Sequence, residues 1–374
     1  MVEMIYADNA ATTKLDLEVF ERMKPFLLDE YANASQPYSF ARLNKKTLKK
    51  AREIIASCIN AEPEEILFTS CGTESDNWAI KGTMLLSDKG TGIITSEIEH
   101  HAVLNPCHTM EKLGHPVKYL KVEKDGKVAL STLKNSIDTN DKLVSIMMAN
   151  NEIGTIQDIK ELCKIAHEKG LIFHTDAVQT LGHIPIDVKE LNIDLLSASA
   201  HKFNGPKGIG FMFIKKGTEI LSFIEGGSQE NSFRAGTENI AFIYGMALAL
   251  EKNCKNIEKN REHLKKLEEV FLDTLNKGKI DYICNGGNDK IPGNINISIK
   301  NEDGEKILHR LDLMKICIST GSACNGKYNT ISHVIRAIGV PEDYAKGTIR
   351  ISLGHDNTEN DVKEIAKAIL KIVG

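Results

Sequence analysis

Short apolar runs alternate with helix-period segments over residues 46–215. The apolar runs predict buried strands at 65–69, 92–95, 143–148, 171–175, 195–198 and 208–214. Helical periodicity appears between them, as at 158–169, where Asp158 is a candidate N-cap and Gly170 a stop signal. Because strands that alternate with helices form βαβ units, this part is predicted to be an α/β domain with a mainly parallel sheet covered by helices.

The pattern changes near residue 255. Residues 255–275 are highly charged, with apolar positions at helical spacing, which predicts a long exposed helix. Residues 293–299 alternate with period two, as a half-exposed strand does, residues 348–353 alternate too, and 358–373 predicts an amphipathic helix. The chain is therefore divided into a large domain of residues 15–255 and a smaller α+β domain of residues 1–14 and 256–374.

Composition excludes several classes of protein. Among 374 residues, 47 Lys and Arg stand against 51 Asp and Glu, and the net charge of −4 argues against a generic nucleic-acid binder. No segment approaches the ~18 apolar residues of a membrane span, and the N-terminus has no secretory pattern. The eight cysteines form no CxxC pair, so no metal site is predicted. Unpaired thiols fit a reducing cytoplasm.

Lys202 stands where a predicted strand runs into a turn rich in glycine and proline, in the sequence SASAHKFNGPKG. A lysine among small residues at a strand end can be desolvated, which lowers its pKa and makes the amine nucleophilic. Ser199 and His201 beside it could donate hydrogen bonds to a phosphate. The alternative is a surface turn with a solvated lysine.

Asp176 is the second candidate, because it follows the apolar strand predicted at 171–175. Ligands of open α/β sheets bind beyond the carboxyl ends of the strands. A carboxylate there can pair with the protonated pyridine nitrogen of pyridoxal phosphate (PLP), a cofactor that also needs a Schiff-base lysine. Asp176 alone could equally be a helix N-cap, but Asp176 and Lys202 on neighbouring strand ends favour a PLP site.

Two further segments follow predicted strands. At Gly72 and Thr73 a strand turns into a helix, whose N-terminal N–H groups attract an anion such as a phosphate, although a capping box has the same pattern. Cys71 in this turn is interpreted as a small filler residue. His100 follows the strand at 92–95 and could stack on a cofactor ring, carry a proton, or simply cap a helix.

Cys324 differs from the other cysteines in its surroundings. It lies in the small, polar segment ISTGSACNGK, with glycines at 321 and 326, whereas the other seven mostly lie in apolar or helical contexts. An accessible cysteine near a cation can form a nucleophilic thiolate. Cys324 is therefore the candidate nucleophile on a presented loop.

Together these segments resemble the cysteine desulfurases, a group of PLP-dependent class-V aminotransferase enzymes that includes the NifS and IscS proteins. The resemblance extends over nearly the whole chain and rests on eight ordered motifs: ADNAATT at 7–13, FTSCGTESDN at 68–77, EHHAVL at 99–104, ANNEIGT at 149–155, HTDAVQ at 174–179, SAHKFNGPKGIG at 199–210, RAGTEN at 234–239 and TGSAC at 320–324. It implies PLP fold type I: an aminotransferase-like large domain with a mainly parallel seven-stranded sheet, plus a smaller α+β domain.

The resemblance also implies the roles of single residues toward the cofactor. Lys202 would hold PLP covalently and move protons, Asp176 would pair with the pyridine N–H, and His100 would stack on the ring. The other expected cofactor ligands are Gln179 at the phenolic oxygen, Gly72, Thr73, Ser199 and His201 at the phosphate, Asn151, and Thr237 at the phosphate of the other subunit of a homodimer.

The substrate and the sulfur step are implied in the same way. Arg350, Asn33 and Asn151 would hold the carboxylate of L-cysteine. Cys324 would attack the substrate sulfur and carry it as a persulfide, alanine would leave, and the sulfur would pass to an acceptor protein in a cytoplasmic pathway such as iron–sulfur cluster assembly or nucleic-acid thiolation. Direct binding of nucleic acid or membrane is not expected.

The chain departs from the family pattern at Tyr38 and Ser228, where histidines are usual. Two alternatives stay open. One is another PLP enzyme of the same fold, an aminotransferase or a selenocysteine lyase, although an aminotransferase needs no loop thiol such as Cys324. The other is a sulfur-relay platform in a complex that modifies tRNA or DNA.

Overall fold

The computed structural model describes residues 4–320 and 331–374. Its central layer is a seven-stranded sheet with the following strands side by side: β2 (Ile66–Thr69), β8 (Gly210–Ile214), β7 (Leu195–Ser199), β6 (Ile172–Asp176), β5 (Asp141–Ser145), β3 (Gly92–Ser96) and β4 (Val117–Leu120). β8 is antiparallel to both of its neighbours, and all other pairs are parallel. The predicted α/β fold with a mainly parallel seven-stranded sheet is confirmed.

Apolar side chains project from both faces of this sheet and are buried there, which is why its strands are continuous apolar runs. Along β7, Leu195 packs in one cluster with Trp78, whereas the adjacent Leu196 packs in another with Phe173 and Leu250. The helices of this part of the chain are α1 (Leu17–Leu28), α2 (Arg42–Cys58), α3 (Gly72–Met84), α4 (His101–Lys112), α5 (Leu130–Ser136), α6 (Ile159–His167), α7 (Val188–Leu191) and α8 (Ile240–Lys255).

The remaining elements surround two small sheets. β12 (Thr348–Ser352), β10 (Asn294–Ile299) and β9 (Tyr282–Cys284) are antiparallel, and β1 (Ile5–Tyr6) pairs in parallel with β11 (Ile316–Cys317). The helices here are α9 (Ile257–Asn276), α10 (Gly304–Leu313), α11 (His333–Ala337), α12 (Glu342–Ala345) and α13 (Glu359–Val373). Ala7 shares a separate hydrophobic cluster with Phe271, Ile297 and Ile369. This packing is the reason to keep 1–14 with 256–374 as a proposed domain.

Two local expectations were wrong. β10 is buried on both faces rather than half-exposed, because the polar side of the strand is covered by the segment 149–155: Asn296 Nδ2 donates to the carbonyl of Glu152 at 3.2 Å. β4 was not predicted from the pattern, because it is a half-exposed edge strand in which Lys118 points to Asp138 and Asp141 at 2.6 and 2.7 Å.

The search for special sites concerns residues 4–320 and 331–374. Within these ranges no helix combines the length and apolarity needed to cross a membrane. The same ranges contain no cluster of three or more His, Cys, Asp or Glu side chains arranged to bind a metal ion.

Candidate active site

A cavity of about 310 Å³ lies at the carboxyl ends of the central strands, where ligands of open α/β sheets bind. Ten predicted site residues line it: Gly72, Thr73, His100, Asn151, Asp176, Gln179, Ser199, His201, Lys202 and Arg350. Residues from five separate motifs therefore meet in one place, as the sequence predicted.

Lys202 enters the cavity from the short 3-10 turn of residues Ala200–Lys202, directly after β7. Its Nζ donates hydrogen bonds to the carbonyl oxygens of Ala10 and Ala11, at 2.6 and 2.9 Å. The turn is tight: a Cβ on Gly210, opposite Ser199 in the sheet, would lie 2.4 Å from the carbonyl oxygen of Ala198. The amine is thus placed inside the cavity, where it can bond covalently to a carbonyl ligand.

Asp176 is the last residue of β6 and is almost fully buried. Burial raises its pKa to about 6, while the hydrogen bond from Val178 N, at 2.9 Å, and the positive charge of Lys202 oppose the shift. A buried carboxylate of this kind gains a partner when a protonated ring nitrogen is brought to it. The residue is therefore suited to the pyridine end of PLP.

Behind Asp176 lies a buried polar group that the sequence did not predict. His174 is hydrogen-bonded to Ser145 Oγ at 2.8 Å and to Ser197 Oγ at 2.9 Å, and Asp76 Oδ1 lies 3.6 Å from its Nε2. Burial lowers the pKa of His174 to about 3 and raises that of Asp76 well above its ordinary value. His174 is therefore neutral at pH 7 in the ligand-free site. Asp76 follows Gly72 and Thr73 by one helical turn, and this spacing is the signal that could have placed it here.

The N-terminus of α3 and Ser199 form a part of the cavity that suits a phosphate. α3 begins there, with Cys71 as N-cap, and the Ser199 hydroxyl is buried without a hydrogen-bond partner among the described residues. A Cβ on Gly72 would lie 2.5 Å from Val178 Cγ2, so the helix can approach this closely only with glycine. Free N–H groups and an unpaired hydroxyl together provide an anion site. His201 adjoins it, with Nδ1 3.1 Å from Thr12 Oγ1.

His100 caps α4, and its Nδ1 accepts a hydrogen bond from Ala102 N at 3.1 Å. Burial, and then the charges of Lys202, His101 and His333, lower its pKa to about 4. The ring is therefore neutral at pH 7 and offers a flat face to the cavity. Its neighbour Glu99 is fully buried, where burial raises the carboxyl pKa to about 8.

Arg350 reaches the cavity from β12 in the C-terminal part of the chain. Its Nη2 donates to Asp8 Oδ1 at 2.7 Å and its Nη1 to the carbonyl of Asn151 at 3.0 Å. The Nε atom is buried without a partner among the described residues. The side chain is thus a fixed cation with an unused donor, which suits a carboxylate ligand.

Two predicted residues, Asn33 and Thr237, do not line the cavity, and the structure does not describe Cys324. Asn33 is half-buried, and its Oδ1 accepts a hydrogen bond from Ser35 N at 2.9 Å. Thr237 is exposed in the single chain. Tyr38 and Ser228, the two departures from the family pattern, are also exposed.

Comparison with known proteins agrees with this architecture. The family model for aminotransferase class-V matches residues 5–365. The chain is 49% identical to a cysteine desulfurase IscS from Dictyoglomus turgidum, over 100% of this chain and 95% of the relative. A solved NifS-like protein superposes with a TM-score of 0.93 at 36% identity, over 99% of both chains.

A second solved structure, SspA in complex with cysteine, superposes with a TM-score of 0.83 at 37% identity, over 93% of this chain and 98% of that one. The likeness thus extends over at least 93% of each protein compared. The chain therefore belongs to the class-V aminotransferase family and, within it, to the cysteine desulfurases, a PLP-dependent group.

Proposed function

We propose that this cysteine desulfurase binds PLP in the 310 Å³ cavity and converts L-cysteine to L-alanine by passing the sulfur to Cys324. The observation that carries the proposal is that one cavity is lined by a buried carboxylate, Asp176, by the N-terminus of α3 with the unpaired Ser199 hydroxyl, and by the amine of Lys202. When bound, PLP supplies an electron sink that stabilises the carbanion next to the scissile C–S bond.

The chain's residues would bind the cofactor from several directions. Lys202 would hold it covalently and afterwards move protons at the substrate Cα, while Asp176, ionised, would accept the pyridine N–H. His100 would stack its neutral ring on the cofactor. Gln179, whose Nε2 donates to the carbonyl of Ala10 at 3.0 Å, would turn to the phenolic oxygen. At the phosphate stand Gly72, Thr73, Ser199 and His201, with Asn151 near by.

L-cysteine would be held by its carboxylate. Arg350 supplies a buried cation with an unpaired Nε–H, and Asn151 is fixed beside it through its backbone carbonyl. Asn33 would join when its side chain leaves the turn at Ser35. The solved SspA structure, described as a complex with cysteine, supports this substrate class.

Cys324 would be delivered by a segment anchored at the cavity. Ser319 lines the cavity and exchanges two backbone hydrogen bonds with Arg350, at 3.0 and 2.7 Å, five residues before Cys324. The thiolate of Cys324 would attack the substrate sulfur, forming an S–S bond as the C–S bond breaks. The proton lost by the Cys324 thiol balances the proton that the substrate Cβ gains when it becomes the methyl group of alanine. The outer sulfur of the persulfide would then pass to an acceptor protein.

A homodimer is the second part of the proposal. Thr237 is exposed and outside its own cavity, which fits a role at the phosphate of the partner subunit. Large apolar side chains are exposed on the same protomer, at Leu28, Tyr31, Phe40 and Leu43. These surfaces suit burial against a second copy. The proposed compartment is the cytoplasm.

Cys324→Ala tests the sulfur step. The variant should keep one PLP per chain and its absorbance change on adding L-cysteine, but lose alanine formation at least about 10³-fold, because the nucleophile is gone. Wild-type protein treated with L-cysteine should carry about +32 Da per sulfur on the peptide containing Cys324, removable by a reductant. Cys71→Ala is the matched control, since Cys71 lines the same cavity. Normal alanine formation in Cys324→Ala would refute the assignment.

A further inference from the structure

Residues 230–232 adopt an unusual backbone conformation. Glu230, Asn231 and Ser232 have φ values of 47°, 56° and 67°, in the left-handed region that residues other than glycine rarely occupy. This conformation is strained for such residues and persists only where surrounding contacts impose it. Five residues later the same segment reaches Thr237, so the contacts that impose this turn also direct the approach to Thr237.

The first of these contacts is an ion pair. Arg52 binds both carboxylate oxygens of Glu230, at 2.8 and 2.9 Å, and the Glu230 side chain is only 3% exposed. Glu230 Oε2 also accepts from the backbone N–H of Phe68 at 3.0 Å, and the Arg52 guanidinium lies 4.5 Å from the Phe68 ring centre. The turn is therefore fastened to β2, the strand that leads into α3.

The second contact lies four residues further along. Arg234 donates to both oxygens of Glu74, at 2.9 and 3.2 Å, and Glu74 also accepts from the backbone N–H of Ser70 at 2.7 Å. Burial opposes ionisation of Glu74, but the hydrogen bonds from Arg234 and Ser70 overcome it and lower its pKa. Glu74 lies in the first turn of α3, directly after the residues assigned to the phosphate.

We propose that Arg234 and Glu230 are positioning residues: their ion pairs to Glu74 and Arg52, with the hydrogen bond from Phe68 N, fasten the segment 230–237 to α3, α2 and β2 and so aim Thr237 at the cofactor phosphate of the partner subunit. This inference rests on the proposed dimer and on the proposed role of Thr237. Neither Arg234 nor Glu230 lines the cavity of its own protomer, so both would act on PLP through Thr237.

A double-mutant cycle on PLP affinity tests this. PLP is titrated into the cofactor-free dimers of wild type, Arg234→Gln, Thr237→Val and the double variant, and binding is followed by absorbance. Loss of a hydrogen bond to a charged group weakens binding about tenfold, so each single variant should bind PLP about tenfold more weakly. The double variant should lose no more than about twofold beyond Thr237→Val, because residues that act through one contact are not additive.

Two further variants keep the test clear of general destabilisation. Arg234→Lys retains the charge and should recover most of the affinity lost in Arg234→Gln. Lys252→Gln is the control. This lysine lies on α8, and its ion pairs to Asp16 and Glu18, at 2.9 and 3.0 Å, are lost in the variant, which should leave PLP affinity unchanged. If Arg234→Gln fails to fold, Glu74→Gln, which removes the other partner, takes its place in the cycle.

The possible failures are distinguishable. Thr237→Val with wild-type PLP affinity would overturn the proposed role of Thr237 itself. Thr237→Val with weakened binding, but Arg234→Gln with wild-type affinity, would overturn the positioning role alone. Additive losses in the double variant would also overturn it, because Arg234 would then act on PLP by a route that excludes Thr237.

Discussion

The two main sheets both bury polar side chains, but they place them differently. In the seven-stranded sheet the polar groups stand at the carboxyl ends of the strands, as with Asp176 on β6 and Ser199 on β7. In the three-stranded sheet they follow one whole face of a strand, as with Asn296 and Ser298 on β10, which are 2% and 0% exposed.

The two sets of polar side chains differ in their hydrogen bonds. Ser298 Oγ, Thr348 Oγ1 and the side chains of Asn285 and Asn296 hydrogen-bond to one another at 2.7 Å, and none of them titrates. At the other sheet the Ser199 hydroxyl is unpaired and the Asp176 pKa is raised. The bonded side chains of β10 join two parts of the chain, although Asn294 Oδ1 on the same face is buried without a partner among the described residues. The unpaired hydroxyl and the titratable carboxyl at the edge of the larger sheet suit a ligand.

Lys202→Ala should have the largest effect, because it alters the edge of the seven-stranded sheet that suits a ligand. We expect alanine formation to fall at least about 10³-fold, on the scale of a lost proton-transferring group. The melting temperature of the cofactor-free protein should stay within a few degrees, since the hydrogen bonds that Nζ donates to Ala10 and Ala11 end on backbone carbonyls at the edge of the cavity. The control is Lys207→Ala, an exposed lysine of the same turn. Substantial turnover in Lys202→Ala would contradict its assignment.

Arg350 belongs to both regions, because it extends from the three-stranded sheet into the cavity. Arg350→Lys should lower kcat/KM for L-cysteine about 100-fold, mainly through KM, since one ammonium cannot replace a fork that serves Asp8, Asn151 and a carboxylate. Steady-state kinetics measure the split. Arg310→Lys, which alters an exposed donor to the carbonyl of Ile372, is the control. An unchanged KM would place the substrate carboxylate elsewhere.

Asn296→Ala should weaken the contact between β10 and the segment 149–155 without lowering the rate of catalysis much. Removing this side chain takes one of two acceptors from Asn285 Nδ2 and the side-chain donor from the carbonyl of Glu152, which costs about 2 kcal/mol of unfolding free energy. Urea denaturation measures the loss, and kcat should remain within about threefold of wild type. Asn360→Ala, on the exposed surface of α13, is the control. A large fall in kcat at unchanged stability would mean that the polar face serves catalysis.

The smallest expected effect is a dependence of stability on pH. Burial raises the pKa of Glu99 to about 8 in the folded, cofactor-free protein, against about 4.3 in an unfolded chain, so the folded state takes up this proton first. The free energy of unfolding should therefore rise by about 1 kcal/mol as pH falls from 8 to 7. Glu99→Gln should flatten that slope in thermal unfolding, and an unaltered slope would refute the account.

Below pH 6.5 the sign reverses for the histidines. Burial lowers the pKa values of His100 and His201 to about 4, so an unfolded chain takes up these protons before the folded protein does. Their contribution to stability is complete above about pH 6.5 and is lost as pH falls toward 4. The window between pH 8.5 and 6.5 is therefore the one in which Glu99 can be tested.

The sequence predicted well what depends on a single strand and its end. Lys202 and Asp176 each follow a continuous apolar run, so their positions at the sheet edge were readable without the fold. His174 and Asp76 were missed as neighbours of Asp176, because their contact requires the register of β5, β6 and β7 and the packing of α3 on the sheet.

The fold was missed where the cover of a strand is distant in sequence. β10 has the alternation of a half-exposed strand, but residues 149–155 arrive on its polar side from more than 130 positions away. The sequence did not predict β4, because this strand is half-exposed at the edge of the sheet and has no continuous apolar run. The placement of Thr237 at a partner subunit stays a prediction, since one chain does not test it.

The hydrogen bond between Asp8 and Arg350 joins positions 342 residues apart. Contacts of such separation form late, because the loop between them must be closed first. During synthesis the residues of the central sheet leave the ribosome before those of β12, so a nascent chain has the edge that bears Asp176 and Lys202 before it has Arg350, the cation proposed for the substrate carboxylate. The order of translation thus separates acquiring a cofactor site from acquiring an enzyme.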